Sequence, residues 1–128
     1  MKTRLTAGQL ESNLSQFYGT ENYYKHWTGA IVYTDGVKYL GENAGLHGCY
    51  WLIDAIASYQ NSRRTEPFQV WILKVLVDET GRRSAVLTMQ EDTNTPILIK
   101  QKIEGTDFQL DEIKLYLIDK VLLLTSEY

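Results

Sequence analysis

An internal disulfide is closed to this chain. Its 128 residues hold one cysteine, Cys49, and a bridge needs two. That usage fits a reducing compartment, so a cytoplasmic location is expected. Proline is scarce, with two residues, and hydrophobic and charged content of 44% and 23% argue against disorder. No apolar run approaches the ~18 residues that a membrane span requires, so no membrane partner is expected. The opening segment M-K-T-R-L-T-A-G-Q-L-E-S carries basic residues with no apolar stretch behind them, unlike a signal peptide. Charge of one sign is also lacking. The net charge is −3, with six basic and five acidic groups in the first 64 residues and seven and eleven in the rest. Neither half is a basic patch, which disfavours a sequence-independent grip on nucleic acid. The length suits a single domain over residues 1–128, able to bury a core without staples.

What is present reads first as helices, then as strands. Thr6 with Gln9 makes a capping box for a helix over residues 6–17, whose Leu10, Leu14 and Phe17 recur at helical spacing. Residues 27–33, W-T-G-A-I-V-Y, look like a strand ending at Thr34-Asp35-Gly36. Val37–Ala44 reads as a short helix capped by Thr34 or Asp35 and stopped by Gly45. Residues 49–61 form the clearest helix, with Leu52, Ile53, Ile56, Ala57 and Gln60 on one face. Its end is favoured by Arg63-Arg64. After Pro67 the period becomes strand-like. Residues 68–77 are apolar on both faces, as in a central strand. Residues 84–90 alternate, with Ala85, Leu87 and Met89 inward. Over 97–104, Ile97, Ile99 and Ile103 face in, while Leu98, Lys100, Lys102 and Glu104 face out. Residues 113–118 and 121–125 suggest a final hairpin. The pattern predicts an α+β fold: a single antiparallel meandering sheet with about three N-terminal helices packed on one face. An edge at 113–125 would let two copies pair as a twofold homodimer.

No nucleotide-binding glycine loop, H-E-x-x-H or G-x-S-x-G is present. No cofactor is expected. His26, His47 and Cys49 offer three potential zinc ligands, but without C-x-x-C or H-x-x-x-H spacing no metal is expected either. Cys49 at a helix N-terminus would have its thiol pKa lowered by the dipole. His26 or His47 would then serve as base and Asp35 or Asp54 as orienter. Asp54 is flanked by apolar residues, so it needs a tyrosine, tryptophan or backbone N–H partner, or else it is a perturbed acid. Thr34-Asp35-Gly36 is most simply a turn or helix cap, and Asp35 with Glu42 is a further pair of metal-type oxygens. The doublets Arg63-Arg64 and Arg82-Arg83 read as solvated ends of elements.

The densest cluster is Y-G-T-E-N-Y-Y-K-H-W, residues 18–27. Of 3 Trp, 9 Tyr and 3 Phe, Phe17, Tyr18, Tyr23, Tyr24, Trp27 and Tyr33 all fall within residues 17–33. Beside Glu21, Asn22, Lys25 and His26, such rings suit a protein hot spot or a stacking platform. The alternative is core packing, with one of Tyr23-Tyr24 pointing in and the other out. The binding candidates are therefore Tyr18, Glu21, Asn22, Tyr23, Tyr24, Lys25, His26 and Trp27. The catalytic candidates are His26, Asp35 and Asp54.

This cluster, with Y-T-D-G-V-K-Y-L (33–40), G-E-N-A-G (41–45), Y-W-L-I-D-A-I-A-S (50–58) and the acidic-aliphatic end 113–128, resembles a bacterial family of small proteins with a domain of unknown function. The resemblance spans nearly the whole chain. It implies a setting in bacterial, plasmid or phage genomes and assigns no catalytic residues. The family pattern runs from E-N-A-G almost directly into the Y-W-L helix, whereas here Leu46-His47-Gly48-Cys49 intervenes. The function expected from these features is a non-catalytic interaction or regulatory protein that binds a host or element protein. The alternatives are a small hydrolase using His26, Asp35 and Asp54, and a binder of single-stranded nucleic acid.

Overall fold

In the computed structural model, which describes residues 4–60, 66–92 and 94–128, the first helix starts where its capping residues put it. Thr6 Oγ1 accepts from the Gln9 amide at 3.1 Å, and the Thr6 amide donates to Gln9 Oε1 at 2.9 Å. Helix α1 covers Ala7–Leu14 and buries Leu10 and Leu14. It ends before Phe17, whose ring packs on Tyr39 at 5.5 Å.

The next segment departs from expectation. There is no single strand over 27–33. Tyr23–Lys25 forms strand β1, paired antiparallel with β2, Val32–Thr34. Between them the chain reverses at Gly29, whose φ is +78°. The Gly29 amide donates to the His26 carbonyl at 2.9 Å, and His26 N–H donates to the Ile31 carbonyl at 3.0 Å. A left-handed residue is what such a tight reversal requires, and glycine supplies it without a Cβ penalty.

Helix α2, Asp35–Asn43, is capped by Thr34, whose hydroxyl accepts from the Val37 amide at 3.3 Å. Gly45, with φ of +67°, ends it as expected. Helix α3, Tyr50–Ser58, buries Leu52, Ile53, Ile56 and Ala57. The helix expected over 49–61 is shorter, since Tyr59 is the C-cap and Gln60 lies beyond it. Residue 61 and the Arg63-Arg64 doublet lie outside the described residues.

Strands β3 (Phe68–Val77), β4 (Arg83–Gln90), β5 (Ile97–Ile103), β6 (Glu112–Ile118) and β7 (Val121–Leu124) follow. One seven-stranded sheet has the order β1-β2-β7-β6-β3-β4-β5. The fold is α+β and the sheet is mostly antiparallel, with two differences from the expected meander. First, β2 and β7 pair in parallel, Val32 against Val121 and Tyr33 against Leu122. Second, only β3-β4-β5 meanders. β6 returns to the opposite side of β3, because the longest, most apolar strand accepts partners on both edges. Two strands also precede α2, so the helices are not a block ahead of the sheet. The hairpin at 113–125 is no edge; β6 and β7 lie mid-sheet, and the edges are β1 and β5. The edge pairing of two copies expected there has no free strand to use.

Period-2 alternation sorts the side chains. Trp71, Leu73, Val75, Ala85, Leu87, Met89, Leu115 and Leu117 point to the helices and join one core with α1, α2 and α3. β3 is not wholly apolar on this side. Gln69 is buried there and takes part in a closed amide network. It exchanges bonds of 2.9 and 3.0 Å with Gln60 and accepts from Trp71 Nε1 at 2.9 Å. A buried indole N–H thereby has its acceptor. Ile97, expected inward, is exposed, because the ladder shifts register between Met89 and Gln90. The other face of the sheet carries Lys74, Lys100, Lys102 and Lys114. It also carries a cluster of Phe68, Tyr116 and Tyr128 with ring centroids 5.2–6.1 Å apart.

The C-terminal turn is fastened to the N-terminus of α2. Glu127, in a final 3-10 turn over Thr125–Glu127, accepts from Thr34 Oγ1 at 2.6 Å, the Gly36 amide at 3.1 Å and the Leu124 amide at 2.9 Å. A carboxylate there satisfies free helix amides and suits the helix dipole. Gly36 admits it only because a Cβ at that position would stand 2.6 Å from both Glu127 Oε1 and Leu124 Cδ1. Gly36→Ala is therefore expected to cost about 1–3 kcal/mol, read as a lowered urea midpoint. Gly8→Ala, with nothing within 4 Å, serves as the control and should not lower it. A midpoint raised as much as that of Gly8→Ala, which brings the same helix-propensity gain, would mean that the C-terminal turn does not seat on α2.

Candidate functional site

The aromatic segment is held from below by two carboxylates, one on each of two helices. Asp35, in the first turn of α2, gathers residues 20–24. Its Oδ2 accepts from the Glu21 and Asn22 amides at 3.1 and 3.3 Å, and its Oδ1 from Asn22 Nδ2 at 3.3 Å and the Tyr24 hydroxyl at 2.8 Å. The Asp35 amide donates to Thr20 Oγ1 at 2.9 Å. The Tyr24 hydrogen bond, with those from Glu21, Asn22 and Thr20, holds the Asp35 carboxyl below the ordinary carboxylate value. The same bond, from the other side, raises the Tyr24 hydroxyl above its ordinary value.

Asp54, on α3, gathers the reversal at 26–30. Its Oδ1 lies 2.7 Å from His26 Nε2 and accepts from Trp27 Nε1 at 3.1 Å. The Thr28 amide donates to His26 Nδ1 at 3.2 Å, which leaves Nε2 to face Asp54. Thr28 Oγ1 accepts from the Ala30 amide at 3.2 Å and lies 2.7 Å from Nδ1. A hydroxyl, an imidazole and a carboxylate thus stand in a row. Both ring nitrogens are occupied, and the ring is 3% exposed. The row braces the hairpin against α3. Asp54 is not buried as its apolar neighbours suggested; its side chain is 47% exposed at the rim of α3.

With the backbone fixed, the rings divide by strand alternation. Tyr24 turns in and bonds Asp35, while Tyr23 turns out at 62% exposure. Tyr18 and Trp27 are 87% and 81% exposed. Lys25, Glu21 and Asn22 are exposed between them. Beside this edge lies an open groove of about 750 Å³, lined by Gln16–Asn22, Tyr24, Asp35, Lys38, Tyr39 and Glu42. Tyr18, Glu21, Asn22 and Tyr24 share it with Asp35. His26 and Asp54 meet each other but do not line it. The α2 contributions, Lys38, Tyr39 and Glu42, are not among the binding candidates read from the sequence. Their signal was available as i, i+4 pairs, Asp35 with Tyr39 and Lys38 with Glu42, on a helix whose start Thr34 marks.

The remaining candidates lie elsewhere. Cys49 is in the core, with its thiol donating to the Leu40 carbonyl at 3.3 Å. Burial, and then Asp107, pushes the thiol up to about 12, opposite to the lowering expected of a helix N-terminus; desolvation outweighs the dipole. His47 is exposed on the turn before α3. That turn is built around Gly48, where φ is +85° and a Cβ would stand 2.4 Å from the Gly41 carbonyl. Arg82 and Arg83 donate to the Glu104 and Phe108 carbonyls. Among the described residues no three His, Cys, Asp or Glu side chains gather as a metal site, and no helix is long and apolar enough to cross a membrane.

The architecture is an α+β layer carrying a braced aromatic hairpin at one sheet edge. The chain belongs to a family of unknown function, DUF6876, whose family model matches residues 8–128. Comparison with curated proteins and with solved structures gave no match.

Asp35 contributes above its ordinary value of 3.8 and loses that contribution as pH falls through its lowered folded value. Tyr24 contributes below 10.0 and loses its share as pH rises through its raised value. Hydrogen exchange at the Glu21 and Asn22 amides is expected to show protection between these limits and loss beyond both. Asp35→Asn should remove the acid-side transition, and an unaltered one would disprove the anchor. For Cys49, a thiol-specific disulfide reagent at about pH 8 should react only after unfolding. Rapid labelling of the native protein would contradict the burial.

Proposed function

We propose that this chain is a non-catalytic interaction protein that grips a protein partner through the aromatic edge Tyr18, Tyr23 and Trp27. The observation that carries this reading is the combination of exposure and bracing. Three large rings stand in solvent on a short segment that Asp35 holds through the Glu21 and Asn22 amides and Asp54 through the His26 and Trp27 side chains. Tyrosine and tryptophan dominate hot spots because they offer wide contact area with few torsions to freeze. Bracing lowers the ordering cost that binding must overcome. A cytoplasmic location rests on the single cysteine, and a bacterial mobile-element setting rests on the family resemblance.

The test is a capture experiment with the purified, tagged chain. The wild type is expected to recover one partner in stoichiometric amount. Tyr23→Ala combined with Trp27→Ala should weaken capture by about 30-fold or more while the thermal midpoint shows that the protein remains folded. Undiminished capture by a folded double variant would remove the edge as the contact surface.

A further inference from the structure

The groove beside the aromatic edge mixes π faces with negative charge. Phe17, Tyr18, Tyr24 and Tyr39 line it, and its ionisable acids Glu21, Asp35 and Glu42 stand against one ammonium, Lys38. The negative faces of the rings and the carboxylates both favour a cation. The protein already places one there. Lys38 Nζ lies 4.7 Å from the Tyr24 ring centroid and 3.5 Å from Glu42 Oε1. Its side chain is 42% exposed, so it can swing into solvent without disturbing α2.

Resting on the reading of this region as a protein contact surface, we propose that the groove receives an arginine side chain from a basic segment of the partner, which displaces Lys38 from the Tyr24 ring. Arginine fits the surroundings better than lysine. Its planar guanidinium stacks on an aromatic face and presents a fork of donors to a carboxylate, and it is the more weakly hydrated cation. Three carboxylates disfavour an anionic segment. Lys38 acts as an internal stand-in, and an incoming cation competes with it. Removing it should therefore strengthen binding, an outcome that a surface with no preference for cations would not give.

The test uses a short peptide of alternating arginine and glycine, its counterpart with citrulline in place of arginine, and a glutamate version. Binding is read by calorimetry and by ring-proton shifts of Tyr24 and Tyr39. The wild type should bind the arginine peptide at least about threefold more tightly than the citrulline one. Lys38→Met should gain about two- to fivefold. Tyr24→Phe should retain binding and Tyr24→Leu should lose it, with folding checked for each. Equal binding of the citrulline peptide, no gain in Lys38→Met, or preference for the glutamate peptide would each overturn the proposal. If arginine selectivity fails while the Tyr23/Trp27 double variant still loses its partner, the contact surface stands without an arginine pocket. If selectivity holds while that variant keeps its partner, the groove is a cation site and the aromatic edge is not the contact.

Discussion

The fold depends on how the first turn of α2 is satisfied. A helix start leaves amides without partners, and it attracts negative charge. Here Thr34 closes one amide with its hydroxyl, and Glu127 closes another from the far end of the chain. The same turn holds Asp35, whose carboxylate points the other way and collects donors from residues 21–24. Thr34, Asp35 and Gly36 thus tie the N-terminal loop, the second helix and the C-terminal turn at one place. Gly36 is part of the same device, since only a missing Cβ leaves room for the Glu127 carboxylate.

The aromatic edge inherits its order from that junction. β1 is three residues long and lies at the margin of the sheet, and so short a strand has little stability of its own. It keeps its place because Asp35 holds one flank and Asp54 the other. The exposed rings cost the protein apolar surface in water. Their position on a doubly fastened hairpin makes that exposure a property of the folded state rather than a product of fraying.

Much of the architecture is legible in the sequence, for local reasons. The capping box of α1 is a pair of residue types at fixed spacing. β3 begins and ends at the expected residues because ten residues of unbroken strand character leave no ambiguity. The split of Tyr23 from Tyr24 follows from period 2 alone. What was hidden is non-local. A strand of three residues carries no alternation to detect, and the parallel pairing of Val32 with Val121 leaves no mark in either segment. Asp54 looked buried because its sequence neighbours are apolar, yet its position on the rim of α3 depends on how the helix rolls against the sheet. The part played by Glu127 was equally invisible, though a glycine just inside a helix start hints that something approaches closely there. The tryptophan partner of Asp54 was readable as a type, and His26 with Asp54 was among the base-and-orienter pairs, whereas Asp35, expected with them, holds a different loop.

The parallel pairing of β2 with β7 also couples segments far apart in sequence. The aromatic hairpin reaches the rest of the sheet through β7, and β7 is held in turn by β6. A pair of three-residue strands closes few hydrogen bonds of its own. Loss of the β7 pairing would leave β2 without a neighbour on its inner side, so opening at the aromatic edge is linked to opening of the β6-β7 hairpin.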